Sequence, residues 1–242
     1  MYTIMDDKEL EQLMKQDIET IFTNILLEHN YIFPISAKSR AGAEISDYLE
    51  DYFVNYLSIN SHSRIYNPLS SPKGKTKNPF DFCFNYKNET LGFDDLIWGD
   101  IKATKRSYDD SNPDLGTSEK IINFIMDGHF YLMFVFLEYE ATEDNQTKFL
   151  PFEDGRYVHC QFLKDIHHSV RINPKPQFQV NIHEPEEYRT RDEFLELFYT
   201  KYQESIDRNI AKQNKKKSEL PTKFDTMKQR LQAYDSKLNK RK

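Results

Sequence analysis

The sequence predicts an α/β fold in which helices flank a mixed central sheet, followed by a helical C-terminal extension. Three features indicate this fold. Two amphipathic helices are predicted near the start of the chain, a strand hairpin follows them, and residues 130–137 form an uninterrupted apolar run. That run is too short to span a membrane and fits a strand buried on both faces at the centre of a sheet.

Apolar residues at helical spacing predict the two N-terminal helices. The first covers residues 6–30, and the second covers about 41–57, with Ile45 and Leu49 on its buried stripe. Glu44 stands beside that stripe, where its carboxylate is either directed toward a site or simply solvated.

Two polar segments are predicted as loops. Residues 58–77 are rich in turn-forming residues, and Lys75 and Lys77 are candidates for contact with a phosphate backbone. The second loop, residues 108–117, contributes Asn112 as a further candidate. The alternative is that these side chains are only solvated.

The hairpin between these loops contains the candidate catalytic residues. Aromatic and β-branched residues predict strands within 78–86 and 96–105, and alternation places Asp100 and Lys102 on one face of the second strand. Asp81, near the start of the first strand, can meet Asp100. Neighbouring carboxylates repel unless a cation lies between them, and oxygen ligands suit Mg²⁺. The alternative is a solvated Asp–Lys pair on a half-exposed strand.

The elements after the hairpin complete the predicted order helix, strand, strand, helix, strand. A helix over 119–127 begins at a capping residue, Thr117 or Ser118, and precedes the apolar strand. A polar turn over 142–155 and a strand near 157–163 follow.

Residues 171–182 alternate polar and apolar positions and are predicted as a strand. Asn and Gln side chains on its polar face could pair with the N6/N7 edge of adenine, each good pair contributing about 1–3 kcal/mol of discrimination. The alternative is an ordinary solvated face. The candidate DNA-binding residues here are Arg171, Asn173, Lys175, Gln177, Gln179 and Asn181.

The C-terminal part of the chain is helical and basic. A capping box at Thr190 begins a helix, and Pro221 is expected to end it before a last helix. Residues 208–242 contain 12 basic and 3 acidic residues, a net charge of +9, which leaves −15 for residues 1–207 in a chain whose total is −6. We therefore divide the chain into a domain, 1–207, and a basic extension, 208–242. The extension contacts phosphates or is a solvated surface.

Composition excludes several classes of protein. Two cysteines, Cys83 and Cys160, are too few for a disulfide scaffold or a cysteine-rich zinc site. The sequence shows neither a membrane-spanning apolar run nor a signal peptide, so a cytoplasmic location is expected.

The hairpin motif resembles a known nuclease signature. Pro79-x-Asp81, followed nineteen residues later by Asp100-Ile101-Lys102, is similar to the PD-(D/E)xK signature in a form common among type II restriction endonucleases. Longer blocks resemble the Swa-type rare-cutting restriction endonucleases, a likeness that covers most of the chain from about Arg40 to Arg191. These blocks are residues 40–51, 75–79, 110–117 and 171–177.

This resemblance implies roles for the hairpin residues. Asp81 and Asp100 would bind Mg²⁺, with the backbone carbonyl of Ile101 as a further ligand. Lys102 would orient the nucleophile and stabilise the phosphate. Glu44 would complete the acidic set or orient a metal-bound water, since a glutamate from the preceding helix lines the metal site in many nucleases of this superfamily.

The resemblance also implies a substrate and partners. The fold would be restriction-endonuclease-like, with a catalytic core at about 41–140 and a DNA-reading segment at about 171–182. A homodimer would cut double-stranded DNA to blunt ends at the centre of an eight-base A·T palindrome, and a cognate methyltransferase would protect the host. Two alternatives remain open: a structure-specific repair or recombination nuclease of the same fold, and a non-catalytic DNA-binding module.

Overall fold

Seven strands form the central sheet of the protein. The computed structural model describes residues 4–36, 41–70, 80–107 and 112–239. The strands of this sheet are β1 Ile32–Ser36, β2 Ile65–Ser70, β3 Phe82–Asn88, β4 Phe93–Lys105, β6 Leu132–Ala141, β7 Gln146–Leu150 and β8 His159–Phe162.

The strand order is β1-β7-β6-β4-β3-β2, with β8 also pairing with β6. Strands β4 and β6 are parallel, and the other described pairs of this sheet are antiparallel. The apolar strand β6 lies in the middle of this order, and its residues 132–139 are all buried there. The predicted α/β class with a mixed sheet is therefore confirmed.

Helices and a small second sheet cover the two faces of the central sheet. Helices α1 Ile4–Glu28 and α2 Ala41–Ile59 pack on one face. The other face is covered by α3, by the start of α4 and by a three-stranded sheet of order β5-β10-β9. These elements are β5 Asp114–Thr117, α3 Ser118–Met126, β9 Arg171–Ile172, β10 Gln177–Gln179 and α4 Arg191–Asn239. In the described part of the chain, no helix is both long and apolar enough to cross a membrane.

Several local predictions were wrong at short strands outside the centre of the sheet. The expected loop 58–77 contains β2, whose Asn67 has a positive φ of 49°. Pro68 fits here because β2 is at the end of the strand order, and an edge strand tolerates a residue without an N–H. The expected turn 142–155 contains β7, which is only five residues long and alternates buried and exposed positions.

The polar segments around the small sheet also differ from expectation. Residues 114–117 form β5 rather than a loop, and they pair with β10. The expected single strand over 171–182 is divided into β9 and β10, which form an antiparallel pair. The prolines at 174 and 176 account for the turn between them, because proline favours turns and has no N–H to donate to a strand ladder.

Helix α4 runs without a break from Arg191 to Asn239 and includes Pro221, so the expected break at this proline was wrong. Proline removes one backbone hydrogen bond and costs about 3 kcal/mol within a helix. Good helix formers on both sides, among them Lys217, Glu219 and Lys223, favour continuation of the helix. The helix also passes through the boundary expected near residue 207.

Candidate active site

The β3–β4 hairpin brings Asp81 to Asp100. Phe82 pairs with Gly99 across the two strands, so the residue preceding Phe82 lies beside the residue following Gly99. The backbone N–H of Asp81 donates to the Gly99 carbonyl at 3.0 Å, and Asp81 Oδ2 accepts from the N–H of Ile101 at 2.7 Å. Asp81 is thus fixed against β4 through both its backbone and its side chain.

Asp100 is a buried carboxyl group, only 6% exposed, and its Oδ2 lies 2.8 Å from Lys102 Nζ. Burial raises the pKa of Asp100 to about 7; the Lys102 charge opposes this rise, and Asp81 adds to it. Burial disfavours the charge on Lys102, but the carboxylates of Asp100, Asp81 and Asp114 together raise the pKa of its ammonium. Among the described residues, the site therefore concentrates negative charge around the ammonium of Lys102.

The desolvation of this site comes from the neighbouring strand β6. Asp100 is in register with Phe134, and Lys102 is in register with Phe136. Both phenylalanines are fully buried. Neighbouring residues in paired strands project to the same face, so an apolar wall lines one side of the charged pair. The indole nitrogen of Trp98, two residues before Asp100, is buried without a hydrogen-bond partner.

The donor set fits Mg²⁺. Asp81 and Asp100 offer carboxylate oxygens beside the carbonyl group of Ile101, and hard cations of this kind take oxygen ligands. Within the described part of the chain, burial of Asp100 beside Lys102 and several carboxylates leaves a deficit of positive charge that a divalent cation would correct.

Helix α2 supports β4 from the opposite face of the sheet. Ser46 Oγ is buried and donates to the carbonyl oxygen of Ile101 at 2.7 Å. One turn earlier, a Cβ on Gly42 would lie 3.1 Å from the carbonyl oxygen of Ala103, so helix and strand approach closely. Sequence reasoning missed Ser46, although two small residues four apart on one helix face are a signal of such an approach.

Glu44 lies on the first turn of α2 and is exposed. On a helix, a residue two positions from both Gly42 and Ser46 lies on roughly the opposite face from these two, so Glu44 is turned away from β4, and no contact joins it to Asp81 or Asp100 in the described residues. Its predicted role in the acidic set remains a prediction. Two lysines of the predicted loop, Lys75 and Lys77, lie outside the described residues, as does Pro79 of the predicted nuclease motif.

Asp114 is a site residue that sequence reasoning missed. It begins β5, and its charge acts on Lys102. Its Oδ1 accepts from Asn173 Nδ2 at 3.2 Å. Asp114 therefore acts electrostatically on the hairpin and is hydrogen-bonded to the candidate DNA-reading segment, although the two are far apart in sequence. The only sequence signal was a carboxylate in a polar loop after the hairpin.

Asn173 organises the turn between β9 and β10. Its Nδ2 also donates to Gln177 Oε1 at 3.3 Å, and its Oδ1 accepts from the N–H groups of Lys175 and Gln177 at 2.8 and 3.1 Å. Both amide hydrogens and the amide oxygen of Asn173 thus have partners within the protein. Gln177 is in turn oriented by Asn173.

The polar and apolar alternation expected of the reading segment is present from residue 177 onward. Phe178 is fully buried, and Gln177 and Gln179 on either side of it are half-buried on the other face. Asn181 is exposed. The remaining candidates, Asn112, Arg171 and Lys175, are also exposed. These residues lie within or next to the strands of the small sheet.

The two cysteines have no place in this chemistry. Cys83 and Cys160 are both buried and unpaired. Burial raises the pKa of each thiol, which keeps it protonated and unreactive.

A mixed sheet that carries paired carboxylates and a lysine on adjacent strands is typical of restriction endonucleases. Comparison with known proteins gives the same class. A family model for restriction endonucleases matches residues 6–220. That model is SwaI-like, described as SwaI restriction endonuclease, and it covers most of the chain, so this protein belongs to the SwaI-like family. It is a type II site-specific nuclease that acts on DNA.

Other comparisons add a structural neighbour. The solved structure of the NlaIV restriction endonuclease is similar over 76% of this chain and 78% of that chain, with 11% sequence identity and a TM-score of 0.47. No curated protein matches the sequence.

Proposed function

We propose that this enzyme makes Mg²⁺-dependent double-strand breaks at a palindromic, A·T-rich site of eight bases and leaves blunt ends. The observation that supports the catalytic part is the approach of Asp81 to the buried pair Asp100–Lys102, with 2.8 Å between Asp100 Oδ2 and Lys102 Nζ. The target and the blunt cut are proposed from the likeness to Swa-type enzymes.

In this proposal Asp81, Asp100 and the Ile101 carbonyl hold the metal, and Glu44 completes the acidic set. The chemistry that bound Mg²⁺ supplies is a more acidic water and neutralisation of phosphate charge. Lys102 orients the attacking water and stabilises the negative charge that builds on the phosphate. Its ammonium suits this task because nearby carboxylates keep it protonated.

Base recognition is assigned to the exposed and half-buried polar residues of the small sheet. Gln177, Gln179 and Asn181 would contact adenine edges, since amide groups pair bidentately with N6 and N7. Arg171 and Lys175 would contact phosphates, and Asn112, Lys75 and Lys77 would add to these contacts. We assign Asn173 to this surface mainly as the residue that orients Gln177.

A palindrome cut in both strands requires two active sites, which a two-fold homodimer provides. An active restriction enzyme in a host also requires a cognate methyltransferase that protects the host DNA. DNA as the substrate agrees with the cytoplasmic location expected from the sequence.

The experiment that tests this function is digestion of a long plasmid or phage DNA by the purified enzyme, with Mg²⁺ and with EDTA, followed by sequencing of the fragment ends. The expected result is a discrete set of fragments only with Mg²⁺, all with blunt ends that share one A·T palindrome. Fragments in EDTA would contradict the metal site. Cutting of branched DNA alone would favour a repair nuclease, and binding without any cutting would favour a non-catalytic module.

A further inference from the structure

The last part of α4 presents an apolar stripe to solvent. Every residue from 220 to 236 is exposed, although α4 as a whole is anchored to the core by Phe194 and Phe198. Large apolar residues in this segment are between 48% and 61% exposed, and no other described part of the protein covers them. They are Leu220, Phe224, Met227, Leu231 and Tyr234.

The spacing of this stripe is that of a coiled coil. Its five residues follow one another at intervals of four, three, four and three, and the sequence continues the pattern at Leu238. This alternation places Phe224 and Leu231 at a positions and Leu220, Met227 and Tyr234 at d positions of a heptad repeat. A helix face with this repeat is complementary to another helix with the same repeat.

Most of the stripe also lies outside the residues that the family model matches. The match to the SwaI-like family ends at residue 220, where the stripe begins. In the described residues, these apolar side chains take no part in either core cluster of the nuclease fold.

We propose that residues 220–238 of two copies of this chain pair as a parallel two-stranded coiled coil. The choice of a second copy rests on the homodimer of the proposed function, because a two-fold arrangement presents two identical helices to one another. Contacts between the two nuclease domains of the dimer would also raise the effective concentration of the two helices. A coiled coil of fewer than about three heptads requires such a rise in order to form.

The charged residues beside the stripe favour a parallel orientation of the two helices. In this heptad register the g positions are Lys223, Arg230 and Lys237, and the e positions are Pro221, Lys228 and Asp235. A parallel pair places Arg230 opposite Asp235 of the partner subunit, twice per dimer, and places Lys223 opposite Lys228 of the partner subunit. An antiparallel pair instead aligns one basic g row with the other, so the parallel arrangement alone gains an attractive contact.

Cysteine cross-linking of the full-length protein without DNA or metal tests this pairing. Met227→Cys places a thiol at a d position, where it faces the same thiol in a parallel, in-register coil. Gln229→Cys places a thiol two residues away, at the f position on the opposite face. Cys83 and Cys160 are buried, so the unmodified protein serves as the background.

The expected result is that mild oxidation links Met227→Cys into dimers at least about tenfold faster than Gln229→Cys. In the Met227→Cys background, Leu231→Glu should suppress the link because it sets two carboxylates against each other at an a layer, whereas Gln232→Glu at b should not. Equal rates for the two cysteines, or no effect of Leu231→Glu, would overturn the pairing. DNA digestion by the same preparations reports separately on the nuclease function.

Discussion

Ser46 Oγ on α2 donates a hydrogen bond of 2.7 Å to the carbonyl oxygen of Ile101 on β4. The Ile101 N–H meanwhile donates to Asp81. One peptide segment of β4 is therefore held by a helix on one side and by the candidate metal-binding carboxylate on the other. This contact fixes the backbone between Asp100 and Lys102.

Ser46→Ala should destabilise the protein by about 1–3 kcal/mol, because it leaves a buried carbonyl without its donor. Ser58→Ala is the matched control: Ser58 lies on the same helix and donates to Asn55 at 2.7 Å, but in an exposed position. Urea unfolding measures both. Equal losses of stability in the two variants would mean that the buried hydrogen bond of Ser46 stabilises the protein no more than the exposed one of Ser58.

Asp100→Asn should reduce DNA cleavage by about 10²–10³-fold or more while DNA binding in EDTA stays measurable, because the site loses a charged metal ligand but not its shape. Asp95→Asn is the control, since Asp95 lies on the same strand and is exposed. Initial cleavage rates on one plasmid give the comparison. A variant Asp100→Asn that cuts at the normal rate would remove Asp100 from the site.

The hairpin that holds these residues was predictable because its signal is local. Alternation along β4 and the apolar run of β6 each specify a strand, and the eighteen residues between Asp81 and Asp100 leave room only for a short turn between two strands. Contacts between distant elements carry no such signal. Ser46 and Ile101 are 55 residues apart, and Asn173 and Asp114 are 59 apart, so both pairs depend on packing of the whole domain.

Short edge strands were missed for a different reason. Strand β2 contains Asn67 and Pro68, residues that locally favour turns, and its pairing with β3 outweighs that preference. The reverse holds at Pro221, where a local breaker is tolerated inside an exposed helix. Pairing with β3 decides the structure at β2, and the helix propensity of the neighbouring residues decides it at Pro221.

Gly99→Ala should destabilise the protein by about 1–3 kcal/mol and also slow cleavage. A Cβ at this position would lie 2.1 Å from Phe82 Cζ, and Phe82 is fixed between other rings of the core. The Gly99 carbonyl accepts from Asp81, so displacement of this strand would also move a metal-binding carboxylate.

The double variant Gly99→Ala/Phe82→Leu provides the check on this clash. A smaller side chain at 82 should restore part of the lost stability, so the two substitutions should be non-additive by more than about 0.5 kcal/mol. Urea unfolding of the two single variants and the double variant completes the cycle. Additive losses would show that the glycine is required for a reason other than Phe82.

Gln179→Ala should weaken discrimination at one or two base pairs of the target by about 1–3 kcal/mol for each lost bidentate contact. Cleavage rates on the target and on all of its single-base variants measure this. Gln203→Ala, which removes a surface glutamine from α4, is the control and should leave the pattern unchanged. An unchanged pattern for Gln179→Ala as well would exclude this strand face from base recognition.

Glu11→Gln should change how stability depends on pH. Glu11 is buried, and its Oε2 lies 2.8 Å from Lys164 Nζ, which is also 2.8 Å from Asp165 Oδ1. Burial raises the pKa of Glu11 from 4.5 to about 7; Lys164 and Arg191 oppose this rise, and Asp165 adds to it. The folded state thus binds a proton more tightly than the unfolded chain.

The stabilising effect of that proton is complete below pH 4.5 and is lost as the pH rises through about 7. Between pH 5 and pH 8 the wild-type protein should therefore lose stability relative to Glu11→Gln, by an amount on the order of 3 kcal/mol. Urea unfolding at the two pH values measures this difference. Glu28→Gln, at an exposed position on the same helix, should follow the wild type. If Glu11→Gln also follows the wild type, the buried carboxyl group does not titrate in this range.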